Sequence, residues 1–207
     1  MVKAFRRILL VAAAVVFASL APSAFADSTV YFNGSYAFAN YGYGIPPYGG
    51  TLDGKSAQFY CVDFTHDISA GQQWQAIVTP LPSIGSSTAP YLAGQTIDGV
   101  SDYLLFAWLI GQMNPGNQAQ YQWAIWSVTD GGYDPYGNPS SIFSNAAAQL
   151  TAADFTGQGW EILTPDARLN QCGQEFLVRT PEPASVLLLA LGLATLFFFK
   201  RRRAFQN

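Results

Sequence analysis

The sequence predicts an α+β protein in which a β-sandwich or barrel-like framework carries a helical insertion, flanked by a signal peptide and a C-terminal transmembrane helix. Three observations predict this class. Apolar runs with basic flanks stand at both ends of the 207-residue chain. Short segments rich in Val, Tyr, Phe and Thr alternate with Gly and Pro in the first and last parts of the interior. Longer apolar segments of helical character occupy its middle.

The first 26 residues have the three-part layout of a secretory signal peptide. A basic start, an apolar run and small residues at the cleavage positions follow one another: Lys3, Arg6 and Arg7, then residues 8–20, then Ala24 and Ala26. The apolar run is shorter than the ~20 residues that a spanning helix needs. We therefore expect signal peptidase to cleave after Ala26 and to leave a mature chain that begins at Asp27.

Residues 181–203 have a second three-part layout. A Pro-Glu-Pro tripeptide, an uncharged run and a basic cluster follow one another: Pro181, Glu182 and Pro183, then residues 184–199, then Lys200, Arg201, Arg202 and Arg203. As a helix the run would be about 24 Å long, enough to cross a membrane when its flanks snorkel. Because basic clusters stay on the cytoplasmic side, residues 204–207 form a cytoplasmic tail and residues 27–180 an ectodomain.

The ectodomain is acidic and poor in cations. It holds twelve of the thirteen acidic side chains but only three of the ten basic ones (Lys55, Arg168 and Arg179), a net charge of −9 against −3 for the whole chain. Nothing in it would neutralise phosphates, so nucleic-acid binding is excluded. One His and two Cys in the whole chain argue against a His-rich metal centre or a His-based hydrolase. No pattern pairs two carboxylates for glycosidase chemistry, and we expect no enzyme activity, metal or cofactor.

Strands are predicted in the first and last parts of the ectodomain, at residues 29–32, 56–63, 74–79, 159–164 and 175–179. The Pro- and Gly-rich residues 45–50 are predicted to form a turn. Helices are predicted between these parts, at residues 102–113, 118–128 and 142–155. Residues 130–141 are predicted to be a loop. A helical section thus interrupts a β framework within one domain of about 150 residues, a size that supports a single core.

The two cysteines offer one interpretation of the ectodomain from residue type alone. In an exported protein a disulfide is the first expectation, here between Cys61 and Cys172. It would enclose 110 intervening residues and stabilise the fold by ~4 to 5 kcal/mol through loop entropy.

The C-terminal segment resembles the PEP-CTERM sorting signal of Gram-negative bacteria. It has a Pro-Glu-Pro tripeptide, an apolar helix and an Arg-rich end in the same order, and the chain also has an N-terminal signal. The resemblance implies recognition by an exosortase, a membrane cysteine protease-transpeptidase. It also implies a transient membrane anchor, followed by release or transfer of the ectodomain to the cell surface or extracellular matrix. The alternative is an ordinary single-pass anchor with a Pro-rich stem.

A second resemblance concerns Cys61, in Tyr-Cys-Val-Asp, and Gln122, in Gln-Trp-Ala-Ile-Trp about sixty residues later. Together these segments resemble the thioester domains of bacterial surface adhesins, although Tyr121 stands where the adhesin motif usually has Thr. The resemblance implies that Cys61 supplies the sulfur and Gln122 the acyl carbon of an internal thioester.

Bulky side chains near both partners would keep water from such a thioester: Phe59, Tyr60, Trp123 and Trp126. A helix over residues 118–128 would turn Gln122 inward, toward the Cys61 strand. Strand alternation would place His66 on the face opposite Cys61, and Asp63 is expected to be an exposed strand carboxylate.

These patterns predict an exported surface or matrix protein, sorted by exosortase, that adheres covalently to an amine- or hydroxyl-bearing surface ligand through Cys61 and Gln122. The alternative is a non-covalent exopolysaccharide-binding or structural matrix protein with a Cys61–Cys172 disulfide. Eleven Tyr and five Trp would suit stacking against sugars.

Overall fold

The computed structural model describes residues 27–130, 132–137, 139–169, 173–180 and 192. Strands occur before and after a section of helices: β1 (Asp27–Phe32), β2 (Phe38–Asn40), β3 (Tyr43–Ile45), β4 (Tyr48–Leu52), β5 (Lys55–Cys61), β6 (Gln73–Pro80), β7 (Thr96–Ile97), β8 (Val100–Ser101), α1 (Asp102–Gly111), α2 (Gln118–Ser127), α3 (Pro139–Ala152), β9 (Trp160–Pro165) and β10 (Phe176–Arg179). Two 3₁₀ segments, Leu81–Ser86 and Ala167–Leu169, follow β6 and β9.

Six of these strands close into an antiparallel barrel in the order β1-β4-β5-β10-β9-β6. Closure leaves the six-stranded sheet without an unpaired edge. The tightest connection within the barrel joins β4 to β5, where Leu52 pairs with Lys55 across a two-residue turn. Both turn residues, Asp53 and Gly54, have positive φ values of 51° and 75°, which is the conformation that a two-residue hairpin requires and that Asp-Gly favours. The order of the strands brings β10, the last strand, between β5 and β9.

Strand alternation divides the apolar residues into two cores, one inside the barrel and one beneath the helices. Along β5, Phe59 and Cys61 point into the barrel, whereas Tyr60 points outward. The inner core contains Val30, Phe32, Ile45, Tyr48, Phe59, Cys61, Trp74, Ala76, Trp123, Trp126, Leu163, Phe176 and Val178. The outer core joins the barrel wall to α1, α2 and α3. Helix α2 contributes to both cores and closes one end of the barrel with its two tryptophans.

The structure confirms the predicted α+β class and its barrel-like framework with helices between the strands. Two local predictions are wrong. Residues 45–50 include the end of β3 and the start of β4, because Ile45 and Tyr48 are buried in the inner core. Helix α3 begins at Pro139, inside the predicted loop, because proline suits the first turn of a helix.

The predicted signal peptide (1–26) and cytoplasmic tail (204–207) lie outside the described residues, as does the predicted sorting helix (184–199) apart from residue 192. Among the residues that are described, no helix is long and apolar enough to cross a membrane.

Gly50 in β4 is a position where the barrel wall has no room for a side chain. A Cβ at Gly50 would lie 2.0 Å from the backbone oxygen of Tyr31 and 2.9 Å from the Phe59 ring. We expect Gly50→Ala to lower the free energy of unfolding by about 1–3 kcal/mol, because the strand must shift to relieve the overlap. Denaturant titration of both proteins measures this change.

The matched control is Gly111→Ala at the end of α1, where a Cβ would meet nothing within 4 Å. The control should be neutral or slightly stabilising because alanine favours helix. Equal stabilities of the two variants would contradict the close approach of β1 to β4.

Candidate functional site

Cys61 and Gln122 meet at one end of the barrel, where α2 packs over the end of β5. The side-chain Nε2 of Gln122 donates a hydrogen bond of 2.7 Å to the backbone oxygen of Cys61. Both residues are completely buried. The Cys61 thiol donates to the backbone oxygen of Asp63, with an Sγ–O distance of 3.0 Å. The structure therefore brings the two residues of the predicted thioester into one enclosure.

The Cys61 thiol is held in its neutral form. Burial raises its pKa to about 12, and the nearby carboxylates of Asp63 and Glu175 act in the same direction. The Trp126 indole opposes this rise and lowers the thiol pKa, although its N–H makes no hydrogen bond of standard geometry within the described residues. Toward reagents and metal ions in solution, a neutral, enclosed thiol is a poor nucleophile and a poor ligand.

The Gln122 amide is only half satisfied. Its nitrogen is bonded to Cys61, but its oxygen, Oε1, has no hydrogen-bond partner in the described part of the chain. An unpaired amide oxygen in a fully buried position costs about 1–3 kcal/mol. Such a group is uncommon in a native core and calls for a chemical reason.

Three aromatic rings cover the pair. Trp123 and Trp126 of α2 pack edge to face with ring centroids 5.1 Å apart, and Phe64 lies 5.5 Å and 5.1 Å from them. Phe59 belongs to the same inner core as Cys61. Tyr60, which the sequence suggested as a fourth shield, instead points away from the barrel interior and packs on Trp160. Strand alternation separates it from Cys61, whereas Phe64 packs against the inner core and both indoles.

The prediction that Asp63 is an exposed strand carboxylate is wrong, because β5 ends at Cys61 and the chain then turns. Asp63 is 1% exposed. Its carboxylate accepts hydrogen bonds from the backbone N–H and hydroxyl of Thr65, and it pairs with His66 Nδ1 at 2.7 Å. The strand-alternation argument therefore does not apply to His66, which is half-exposed beside this turn.

Glu175 is a second buried carboxylate that the sequence analysis did not identify. It accepts hydrogen bonds from the Thr164 hydroxyl at 2.6 Å, the Tyr91 backbone N–H at 3.0 Å and the Tyr103 hydroxyl. Burial raises its pKa to about 7, and these hydrogen bonds oppose the rise. The carboxylate ties α1 and the segment before it to the barrel wall next to Cys61. Its burial depends on partners far away in sequence, so no local pattern marks it.

A cavity of about 310 Å³ adjoins this end of the barrel. Its walls include side chains that reach the site, Tyr48 and Trp126, and others nearer the surface: Tyr36, Tyr43, Phe64 and Gln174. Tyr48 and Trp126 belong to the same inner core as Cys61. The cavity thus leads from the surface to the aromatic cover of the Cys61–Gln122 pair.

The other predicted site residues lie elsewhere. Cys61 has a free thiol in the described structure, and Cys172, its partner in the alternative disulfide, lies outside the described residues. The cleavage, tripeptide and basic-cluster residues are also outside them: Ala24, Ala26, Pro181, Glu182, Pro183, Lys200, Arg201, Arg202 and Arg203. Within the described ranges, no group of three or more His, Cys, Asp or Glu could hold a metal ion.

The raised pKa of Glu175 predicts a pH-dependent stability. Between its ordinary pKa of 4.5 and about 7 the folded state holds a proton that the unfolded state has lost. The contribution of Glu175 to stability is therefore complete below about pH 4.5 and is lost as the pH rises through about 7. Between about pH 5 and about pH 8 we expect this loss to be on the order of 2 kcal/mol. Denaturant titrations across this range measure it.

The variant Glu175→Gln cannot titrate and should lose this part of the pH dependence. Asp154→Asn, in an exposed turn, is the control that should keep the wild-type profile. An unchanged slope in Glu175→Gln would show that Glu175 is charged in the folded protein throughout this range.

Comparison with known proteins identifies one part of the chain. Residues 179–203 match the family model of the PEP-CTERM protein-sorting motif. No curated protein and no solved structure matches the chain significantly. The matched segment begins at Arg179, the last residue of β10, so the sorting motif follows the barrel directly. The motif supports exosortase-dependent sorting of an exported protein, which is processed at the membrane and then passes to the surface.

Proposed function

We propose that this exosortase substrate is a surface or matrix protein that attaches covalently to its surroundings through an internal thioester between Cys61 and Gln122. The observation that carries the proposal is the 2.7 Å hydrogen bond between the Gln122 amide and the Cys61 backbone, made by two fully buried residues, with the Cys61 thiol unpaired among the described residues. The protein would act once and would not turn over, so we propose no enzyme activity.

The proposed bond forms by condensation. The Cys61 sulfur attacks the side-chain carbonyl carbon of Gln122, a C–S bond forms, and the C–Nε2 bond breaks. The amide nitrogen leaves as ammonia and takes the thiol proton with it. Oε1, which has no partner in the described residues, remains as the oxygen of the acyl group. No oxidant or cofactor is needed.

The surroundings support both the survival and the use of such a bond. Burial and the aromatic cover exclude water, which would otherwise hydrolyse it. The acyl oxygen has no hydrogen-bond donor in the described residues, so the carbonyl is not polarised at rest. Trp126 stands one helical turn beyond Gln122, on the same face. It also lines the adjoining cavity, through which a nucleophile would approach the thioester.

A non-covalent matrix protein that binds exopolysaccharide is the second candidate. It is favoured by a group of partly exposed aromatic side chains, between 38% and 62% exposed: Tyr36, Phe38, Tyr41, Tyr43, Tyr133 and Tyr136. Rings of this kind offer flat apolar faces with a polar tip. In this candidate Cys61 would remain a thiol or pair with Cys172.

Mass spectrometry of the full-length chain tests the thioester. For the chain purified without reductant, we expect a mass about 17 Da below that calculated for the residues that remain after processing, rising by about 31 Da with methylamine. Cys61→Ala and Gln122→Ala should show neither change. Gln120→Ala, an exposed position of the same helix, is the matched control and should behave like wild type. A loss of only about 2 Da that reductant reverses would mean a disulfide and would exclude the thioester.

Fractionation of cells tests the sorting motif. We expect replacement of Pro181, Glu182 and Pro183 by alanine to leave the uncleaved protein in the inner membrane, because the processing enzyme loses its recognition segment. Gln206→Ala, beyond the matched residues, is the control and should reach the surface normally. Normal delivery of the triple variant to the surface would show that sorting of this protein does not depend on the tripeptide.

A further inference from the structure

The cavity beside Trp126 and Tyr48 has the position and size of a ligand site. Its volume of about 310 Å³ is at the lower end of the range for small-molecule sites, about 300 to 1,000 Å³. It begins at the surface between the half-exposed rings of Tyr36 and Tyr43. It ends at Tyr48 and Trp126, which pack in the inner core together with Cys61.

Two buried polar side chains of the cavity wall each carry an unpaired atom. Gln174 is 9% exposed and Trp126 is 2% exposed. The Gln174 amide nitrogen bonds to the His66 backbone oxygen, but Gln174 Oε1 and Trp126 Nε1 have no partners among the described residues. One is an acceptor and the other a donor. A ligand that satisfied both would need groups that donate and groups that accept.

The remaining wall is aromatic and carries one acid. Tyr36, Tyr43 and Phe64 supply ring faces, and Asp67 supplies a carboxylate at the exposed side. Gly44 is needed for this arrangement, since a Cβ there would lie 2.9 Å from the Tyr36 ring. No Lys, Arg or His is among the residues that line the cavity in the described structure. The site therefore suits a neutral ligand and disfavours an anionic one.

We infer that this cavity binds a neutral saccharide and presents one of its hydroxyl groups to the Cys61–Gln122 acyl group. Sugar hydroxyls both donate and accept, so they match Gln174 Oε1 and Trp126 Nε1 together. The apolar faces of a sugar ring pack on the aromatic rings. Asp67 accepts hydrogen bonds from further hydroxyls.

The covalent part of this inference rests on the proposed thioester. The hydroxyl oxygen attacks the acyl carbon of Gln122, a C–O ester bond forms and the C–S bond breaks. The hydroxyl proton passes to the Cys61 sulfur, which returns to the thiol. An alkyl amine is protonated at neutral pH. Its ammonium form would suit Asp67 and the rings, but it has no lone pair for the Trp126 N–H or for attack on the acyl carbon. The cavity therefore favours hydroxyl over amine ligands.

Two measurements on the full-length chain separate binding from bond formation. Calorimetry with Cys61→Ala, which cannot form the thioester, measures reversible binding of maltohexaose, cellohexaose and chitohexaose. Polygalacturonate serves as the anionic probe and N-acetyl-lysine amide as the amine probe. Mass spectrometry of the wild-type chain, with the same probes and with methylamine, measures covalent products.

We expect Cys61→Ala to bind at least one neutral oligosaccharide and neither of the other probes, and the wild type to gain the mass of that oligosaccharide as an ester. Adding Gln174→Leu to Cys61→Ala should weaken binding about tenfold or more, because a buried acceptor is lost. Adding Asp67→Ala, at an exposed position that does not threaten folding, should also weaken it. Gln58→Leu, on an exposed position elsewhere on the barrel, is the control and should bind as Cys61→Ala does.

Each other outcome has a definite meaning. Reaction with methylamine without binding of any neutral probe would overturn the saccharide site and leave the thioester standing. Binding to Cys61→Ala without any thioester in the wild type would overturn the delivery step and the covalent proposal, and would keep the cavity as a lectin-like site. Preferential coupling of the amine probe would show that the cavity selects ammonium ligands, against the inference.

Discussion

The hydrogen bond from the Gln122 amide to the Cys61 backbone fixes the position of helix α2 relative to the barrel, and the rest of the site depends on that position. Since Trp123 and Trp126 lie one and four residues beyond Gln122, seating the amide on β5 also seats both indoles in the end of the barrel. The thiol, the amide and the aromatic cover therefore form one unit. A helix turned by one residue would expose the amide to water and withdraw the rings.

The two carboxylates around this unit are buried and hydrogen-bonded, Glu175 by distant parts of the chain and Asp63 by its neighbours in sequence. Glu175 is bonded by groups from α1, β9 and the segment before α1, and Asp63 by the turn that follows β5. In a low-dielectric interior such groups are costly when unpaired and rigid when paired. They hold the walls around Cys61 in place. Three of the six buried side-chain atoms that have no partner in the described residues, Gln122 Oε1, Trp126 Nε1 and Gln174 Oε1, belong to this site or to the wall of the adjoining cavity.

Much of the fold follows from local sequence patterns, whereas only part of the site does. The Asp53-Gly54 hairpin, the apolar helix α1 and the five predicted strands are encoded by residues close together in sequence. The outward direction of Tyr60 also follows from alternation, once Phe59 and Cys61 are placed inward. The burial of Glu175 and Gln174 does not follow, because their partners come from segments up to 108 residues away. Their pairing depends on closure of the barrel, which cannot be predicted from any short stretch of sequence.

The position of β10 has a mechanical consequence. The strand ends at Arg179, where the sorting motif begins, and it pairs with β5 on one side and β9 on the other. A pull applied through residue 180 runs along the strand and loads the hydrogen bonds on both sides at the same time, since those bonds are perpendicular to it. Shear of this kind resists rupture better than peeling bonds one by one. Phe176 of the same strand is paired with Cys61, so a tethered molecule would transmit tension close to its proposed point of attachment.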